Sequence, residues 1–204
     1  MKIGIISDTH KKVKLAKEAI DLLVQKGAEF IIHAGDIVEV EILDILESCG
    51  VRYVAVYGNN DAHLAPYHTR YNLVQEPHYF KLAHTTFKLM HLPYYMSPDT
   101  EIVIFGHTHE FEVDYKGKTL FLNPGEVCAR SKNLSEFLML EVKEKSFKIT
   151  RYTKETKTKH PKKFKHQKFT YERKSSWIKR YFYVLFATLT VELAMKIVNF
   201  APKV

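Results

Sequence analysis

Lys2-Ile3-Gly4-Ile5-Ile6-Ser7-Asp8-Thr9-His10 is an apolar run of strand length that ends abruptly in a hydroxyl, a carboxylate and an imidazole. The same arrangement recurs twice. A β-branched run at 30–33 leads into Ala34-Gly35-Asp36, and another at 51–56 leads into Gly58-Asn59-Asn60-Asp61. Between these runs, residues 15–24 and 42–46 carry apolar side chains at helical spacing. The order is therefore βαβαβ, which predicts parallel strands that deliver their polar ends to one edge of a sheet.

Beyond a turn-rich stretch, strand-like runs occupy 86–91, 102–105, 112–115, 119–122, 137–142 and 147–152. Lys116-Gly117-Lys118 reads as a hairpin turn, so this half is expected to be largely antiparallel. One of these strands ends at His91, and the next runs into Gly106-His107-Thr108-His109. The sum is a layered α/β domain over residues 1–152, with residues 153–204 as a separate basic segment and helix.

Five strand ends thus supply Asp8, His10, Asp36, Asn59, His91, His107 and His109. Asp8 and His10 are two apart, as are His107 and His109, so an extended backbone would point each pair to one side. A donor set of two Asp, one Asn and four His suits manganese, iron, zinc, nickel or cobalt, whereas magnesium and calcium prefer oxygen. Seven donors are too many for one ion with open positions. Two ions sharing a carboxylate would use them all, at a separation of roughly 3.5–4 Å. Any one of these motifs alone would be unremarkable, since a DxH after a strand is usually a capping aspartate beside a chance histidine.

In this order, Asp8-Thr9-His10, Gly35-Asp36, Gly58-Asn59-Asn60-Asp61, His91 and Gly106-His107-Thr108-His109 resemble the signature of the calcineurin-like metallophosphoesterases. With Asn123-Pro124-Gly125 following, the compact spacing is most similar to the small YfcE-type phosphodiesterase branch, over about residues 1–150. The resemblance implies a four-layer αββα sandwich. It assigns Asp8, His10 and His109 to one ion, Asn59, His91 and His107 to the other, and Asp36 as the bridge, with Asn60 and Asp61 beside it in the catalytic set. It also implies two divalent ions, manganese first among them, and hydrolysis of a phosphodiester by a metal-bridging hydroxide. The same fold serves as a metal-poor scaffold in the eukaryotic retromer coat, so a metal-binding assembly protein is the alternative. All seven donor positions are filled here, which favours the enzyme.

Three departures from the family pattern stand out. Asn60 occupies the place where many relatives carry a histidine thought to protonate the leaving group, and an amide cannot do so at neutral pH. His63 is the candidate replacement acid, its plainer reading being a solvated loop histidine. His91-Leu92-Pro93 lacks the usual glycine, and Pro93-Tyr94-Tyr95-Met96-Ser97-Pro98 reads as loop where relatives place a helix. His33, at a strand end near Asp36, is placed to support a ligand, while His68, His78 and His84 read as surface residues.

Charge is divided unevenly along the 204 residues. Residues 143–180 carry a balance of +12 against −5 for residues 1–142, which marks the later segment as an interaction tail. Its lysines interleave with Phe164, Phe169 and Tyr171, a combination able to bind single-stranded nucleic acid, as a nuclease would, or simply to form a solvated linker. Residues 175–200 predict an amphipathic helix, with Glu192 and Lys196 interrupting what would otherwise approach a membrane span. Its apolar face calls for cover from the domain, a second copy or a membrane surface. The run Ile3-Gly4-Ile5-Ile6 is too short for a secretory signal, and Cys49 and Cys128 match no disulfide or thiolate-zinc spacing, so a cytoplasmic location is expected.

Overall fold

A computed structural model describes residues 1–158 and 162–173. The expected helix at 175–200 lies outside the described residues, and among those described no helix is long and apolar enough to cross a membrane.

The first sheet holds β1 (Lys2–Ile6), β2 (Phe30–His33), β3 (Tyr53–Val56) and β4 (Leu73–Val74) in parallel. On the other side of β1 it continues antiparallel through β10 (Leu134–Val142), β11 (Ser146–Glu155) and β12 (Lys165–Glu172). Between the early strands run α1 (Val13–Gln25) and α2 (Val40–Ser48). The second sheet has the order β5 (His78–Leu82), β6 (Thr85–Leu89), β7 (Ile102–Ile104), β9 (Thr119–Pro124), β8 (Phe111–Lys116).

Both faces of β1 are buried, so alternation along the strand sorts side chains between two cores rather than between core and water. Ile3 and Ile5 join Ile32, Val54, Phe87, Ile104 and Leu122 in the layer between the sheets. Ile6 turns the other way, with Ile31 and Ala55, toward Ala16, Ile20 and Leu23 of α1 and Ile42 and Leu46 of α2. The spacing 16, 19, 20, 23 of the buried residues on α1 is the 3.6-residue stripe that such a contact requires.

The outer face of the second sheet is the thinnest layer. Met90, Val103, Phe105 and Phe121 lie there under Met96, from the Pro93–Pro98 stretch that the sequence reads as loop. Lys88, fully buried on the same face, holds that loop: its Nζ donates to the Tyr95 and Ser97 carbonyls and the Ser97 hydroxyl, and lies 2.5 Å from Asp99.

Two expectations are adjusted. The second half is largely antiparallel through β5, β8, β10, β11 and β12, but β6, β7 and β9 run parallel to one another at the centre of the second sheet. The compact unit also continues past Tyr152 to Glu172, since β12 pairs along β11 from Ser146↔Glu172 to Thr153↔Lys165. The lysines of β12 conceal a strand with two half-buried rings: Phe169 lies 5.6 Å from Phe111 and Tyr171 6.0 Å from Tyr115 between ring centroids. Phe164 meets Phe137 at 5.0 Å on the opposite face. These three rings serve the protein's own packing instead of standing free to stack on bases. The exposed lysines suit an edge strand, which charge protects from pairing with other sheets.

Candidate metal centre

Five parallel strands, β1, β2 and β3 of one sheet and β6 and β7 of the other, end at the same edge of the sandwich. The loops that follow them carry the seven candidate donors. Their backbone is not extended, as the two-residue spacing suggested. Asp8, His10, Asp36, His107 and His109 all have φ between +43° and +67°. Left-handed residues alternate with others, so each pair is brought to one side by tight turns rather than by pleating. Such conformations cost non-glycine residues about 1–3 kcal/mol each and cluster where a function requires them.

Asp8 is held by one oxygen. Its Oδ2 accepts from the Ser7 hydroxyl at 2.6 Å and the His107 N–H at 3.2 Å. Its Oδ1 lies 3.4 Å from His109 Nε2. Burial raises the Asp8 pKa, against the Ser7 hydrogen bond and the nearby histidines. Asp36 is held by Asn60, whose N–H and side-chain amide donate to Oδ1 and Oδ2. Its Oδ2 also stands 3.7 Å from His10 Nε2 and 3.5 Å from His91 Nε2. Burial works against ionising Asp36, but His91 and the two Asn60 hydrogen bonds outweigh it and keep the carboxyl well below the usual range. On the far side, Asn59 Oδ1 is 3.0 Å from both His91 Nε2 and His107 Nδ1.

The imidazoles are oriented from behind. His91 Nδ1 faces the Ala34 carbonyl at 2.8 Å; a carbonyl only accepts, so Nδ1 carries a proton and Nε2 is turned toward the donor cluster. His109 is set the same way, with Nδ1 donating to the buried Glu126 carboxylate at 2.5 Å. A histidine whose far nitrogen donates to a carbonyl or carboxylate is the usual support for a metal ligand. Glu126 in turn accepts from the Ser131 and Lys132 N–H groups and the Cys128 thiol. Burial opposes its ionisation, but the His109 hydrogen bond and these donors hold its pKa below the ordinary value.

His33 is wholly buried, its pKa lowered to about 3 by burial and by the nearby charge of His91. Because Gly35 N–H donates to Nδ1, the neutral ring presents Nε2–H to the Thr9 hydroxyl at 2.9 Å, bracing the β1 and β2 loops against each other. Close approach accounts for two motif glycines. A Cβ on Gly58 would lie 2.2 Å from Asp36 Oδ1, and one on Gly106 2.2 Å from Ser7 Oγ.

The donor set fits divalent ions on two observations. Asp8 Oδ1 and His10 Nε2 are buried without a hydrogen-bond partner among the described residues. Donor pairs 3.0–3.7 Å apart match the edges of coordination shells with metal–ligand bonds of roughly 2.0–2.2 Å.

Of the other residues singled out in the sequence, Asp61 accepts from the N–H groups of Ile37, Val38 and Gly58, clamping the β2 and β3 loops together. His63 is exposed, and its Nε2 proton goes to the Val38 carbonyl at 2.6 Å. His68 and His84 are exposed, but His78 is half buried against Phe80. Glu126, Asn123 and Cys128 escaped the sequence reading as site residues. Asn123 donates to the Gly106 carbonyl and the Thr108 hydroxyl, fixing the loop of His107 and His109. Cys128 clusters with His10 and His109, their donor atoms within 4.8 Å of one another. The available signal was Glu126 itself, the single charge in residues 119–129, directly after Asn123-Pro124-Gly125.

Comparison with known proteins identifies the family and the fold. Residues 1–145 match the calcineurin-like phosphoesterase superfamily domain. Phosphodiesterase MJ0936 of Methanocaldococcus jannaschii is 26% identical over 161 residues, covering 72% of this chain and 97% of that protein. The phosphoesterase Yfce of E. coli shares the fold with a TM-score of 0.59 at 20% identity, over 72% of this chain and 91% of its own. Vps29 of Chaetomium thermophilum does so with a TM-score of 0.70 at 14% identity, over 85% and 98%.

Proposed function

We propose that this chain, which belongs to the calcineurin-like phosphoesterase superfamily, is a dinuclear metal-dependent phosphodiesterase. The observation that carries the reading is Asp36 Oδ2, set between His10 Nε2 at 3.7 Å and His91 Nε2 at 3.5 Å, one carboxylate within reach of both halves of the donor set. Asp8, His10 and His109 would hold one ion, Asn59, His91 and His107 the other; so mixed a set of oxygen and nitrogen donors suits manganese, iron, zinc, nickel or cobalt, and the family resemblance puts manganese first. When bound, two such ions supply an activated water as nucleophile and positive charge for the phosphoryl oxygens.

The chain's own residues prepare that chemistry. Glu126 and the Ala34 carbonyl fix the proton-bearing nitrogens of His109 and His91 away from the donor cluster. Asn60 keeps Asp36 oriented and ionised. The amide of Asn60 cannot itself protonate a leaving oxygen, so an alkoxide leaving group would draw its proton from water. The reading also places the enzyme in the cytoplasm, where the free thiols of Cys49 and Cys128 stay reduced.

Metal analysis of wild type and Asp36→Ala, combined with a panel of phosphodiesters and phosphomonoesters, tests the proposal. Two ions per wild-type chain are expected, with diester hydrolysis lowered by orders of magnitude in the variant. Near-normal turnover by folded Asp36→Ala would refute the shared-carboxylate reading. Metal binding with no turnover of any ester would favour the assembly scaffold.

A further inference from the structure

A cavity of about 580 Å³ opens beside the donor cluster, beginning at His10 and Asn60 and extending along Lys11, Lys12, Arg130 and Lys157. Among the described residues no acidic one lines it. The four cations are exposed, and none forms an ion pair among the described residues. Neighbouring cations behave differently: Lys132 meets Glu110 and Glu136, Arg151 meets Glu136, and Lys154 meets Glu18. Positive charge has been left uncompensated on the one wall that continues from His10. Lys12 is also the N-cap of α1, which has neither a side-chain cap nor an acidic residue in its first turn, so the positive end of that helix adds to the same field.

We propose that this cavity binds a second phosphate group of the substrate, so that the preferred diester is a small molecule bearing a further phosphate on the arm over the cationic wall. A 5′-phosphorylated dinucleotide has that chemistry. The inference rests on the phosphodiesterase reading above and names the substrate class for that site. Arg130 offers a planar fork to phosphate oxygens and the lysines offer mobile point charges, a combination that recognises phosphate without reading a base. Val38 and Ala129 give the lining apolar surface for a sugar or base. The volume falls in the range of small-molecule sites, enough for a nucleotide-sized arm rather than a continuing strand.

The test uses the full-length, manganese-loaded protein with three substrates: ApA, pApA and a 5′-phosphorylated twelve-nucleotide strand. The value of kcat/KM for pApA should exceed that for ApA by roughly 10- to 100-fold through KM, as expected for charge-assisted contacts. Added salt should reduce the ratio. In Lys12→Gln/Arg130→Gln the ratio should fall toward one. A wild-type ratio near one, an equal loss on both substrates in the variant, or a strand cleaved faster per linkage than pApA would each overturn the proposal.

Cleavage of other diesters but of neither dinucleotide would overturn the substrate proposal; if wild type cleaves no diester, the phosphodiesterase reading fails, and equilibrium binding decides the cavity separately. EDTA-treated wild type should bind adenosine 3′,5′-bisphosphate at least several-fold more tightly than the double variant does. Equal affinities would remove the anion site.

Discussion

The side-chain amide of Asn60 donates to Asp36 Oδ2 at 2.7 Å, and its backbone N–H donates to Oδ1 of the same carboxylate at 3.0 Å. The residue in the place of a proton donor is thus engaged in holding the proposed bridging ligand. Asn60→Ala is expected to cost about 10- to 100-fold in metal affinity or activity, the usual penalty for losing a ligand's support. Metal titration of the variant checks this. Rates over a series of aryl phosphodiesters should fall steeply as the leaving-group pKa rises, and Asn60→His should flatten the slope. A shallow wild-type slope would mean that another group already transfers the proton.

Glu126 gives a second prediction. The substitution Glu126→Gln keeps the shape but replaces the carboxylate that accepts the His109 Nδ1 proton. Affinity for the ion proposed at Asp8, His10 and His109 should fall about 10- to 100-fold while the other proposed ion is retained. Equal loss of both ions, measured by metal content per chain, would indicate a role in folding instead.

The left-handed donors allow a comparison that separates strain from ligation. His10→Gly and His10→Ala both remove an imidazole, but glycine accepts φ +43° without a Cβ penalty. In EDTA-treated protein the glycine variant should be the more stable by about 1 kcal/mol, the balance of relieved strain against unfolded-state entropy. Urea denaturation decides it, and an alanine variant of equal or greater stability would show that the turn carries no such cost.

His33 links the site to pH. Its folded pKa of about 3 lies below the ordinary 6.5, so between these values the unfolded chain binds more protons than the folded one. The stability linked to its neutral ring is fully present above pH ~6.5 and is lost as pH falls toward ~3, at up to about 1.4 kcal/mol per unit. For metal-free protein, His33→Gln should reduce the slope of unfolding free energy against pH in this window. An unchanged slope would place the proton uptake elsewhere.

The order of motifs made the donor set legible because each donor follows an apolar run, and strand ends gather at one edge. The route was read less well. Positive φ at Asp8, His10, His107 and His109 is only weakly signalled by Asp and His as residue types, so spacing of two looked like pleating. Parallel pairing of β7 with β9 was hidden because β8 intervenes in the chain, making a crossover resemble a meander. Phe169 and Tyr171 looked available because lysines surround them, and only the neighbouring β11 shows which way an edge strand turns its rings. Glu126 was obscure for a different reason: an acid that acts through a histidine seventeen residues away has no spacing rule of its own.

Lys88 is the penultimate residue of β6, with Phe87 and Leu89 on either side committed to the layer between the sheets. Its own side chain goes the other way, to the loop that follows His91. One strand therefore fastens two independent parts, the register of the sandwich on one face and the course of residues 95–99 on the other. The segment behaves as an exchangeable panel: lengthening or rewriting it changes the cover of the outer face without touching the pairing that aligns the donors. Descendants of such a chain can remodel that face by editing one connection, with the donor set left in place.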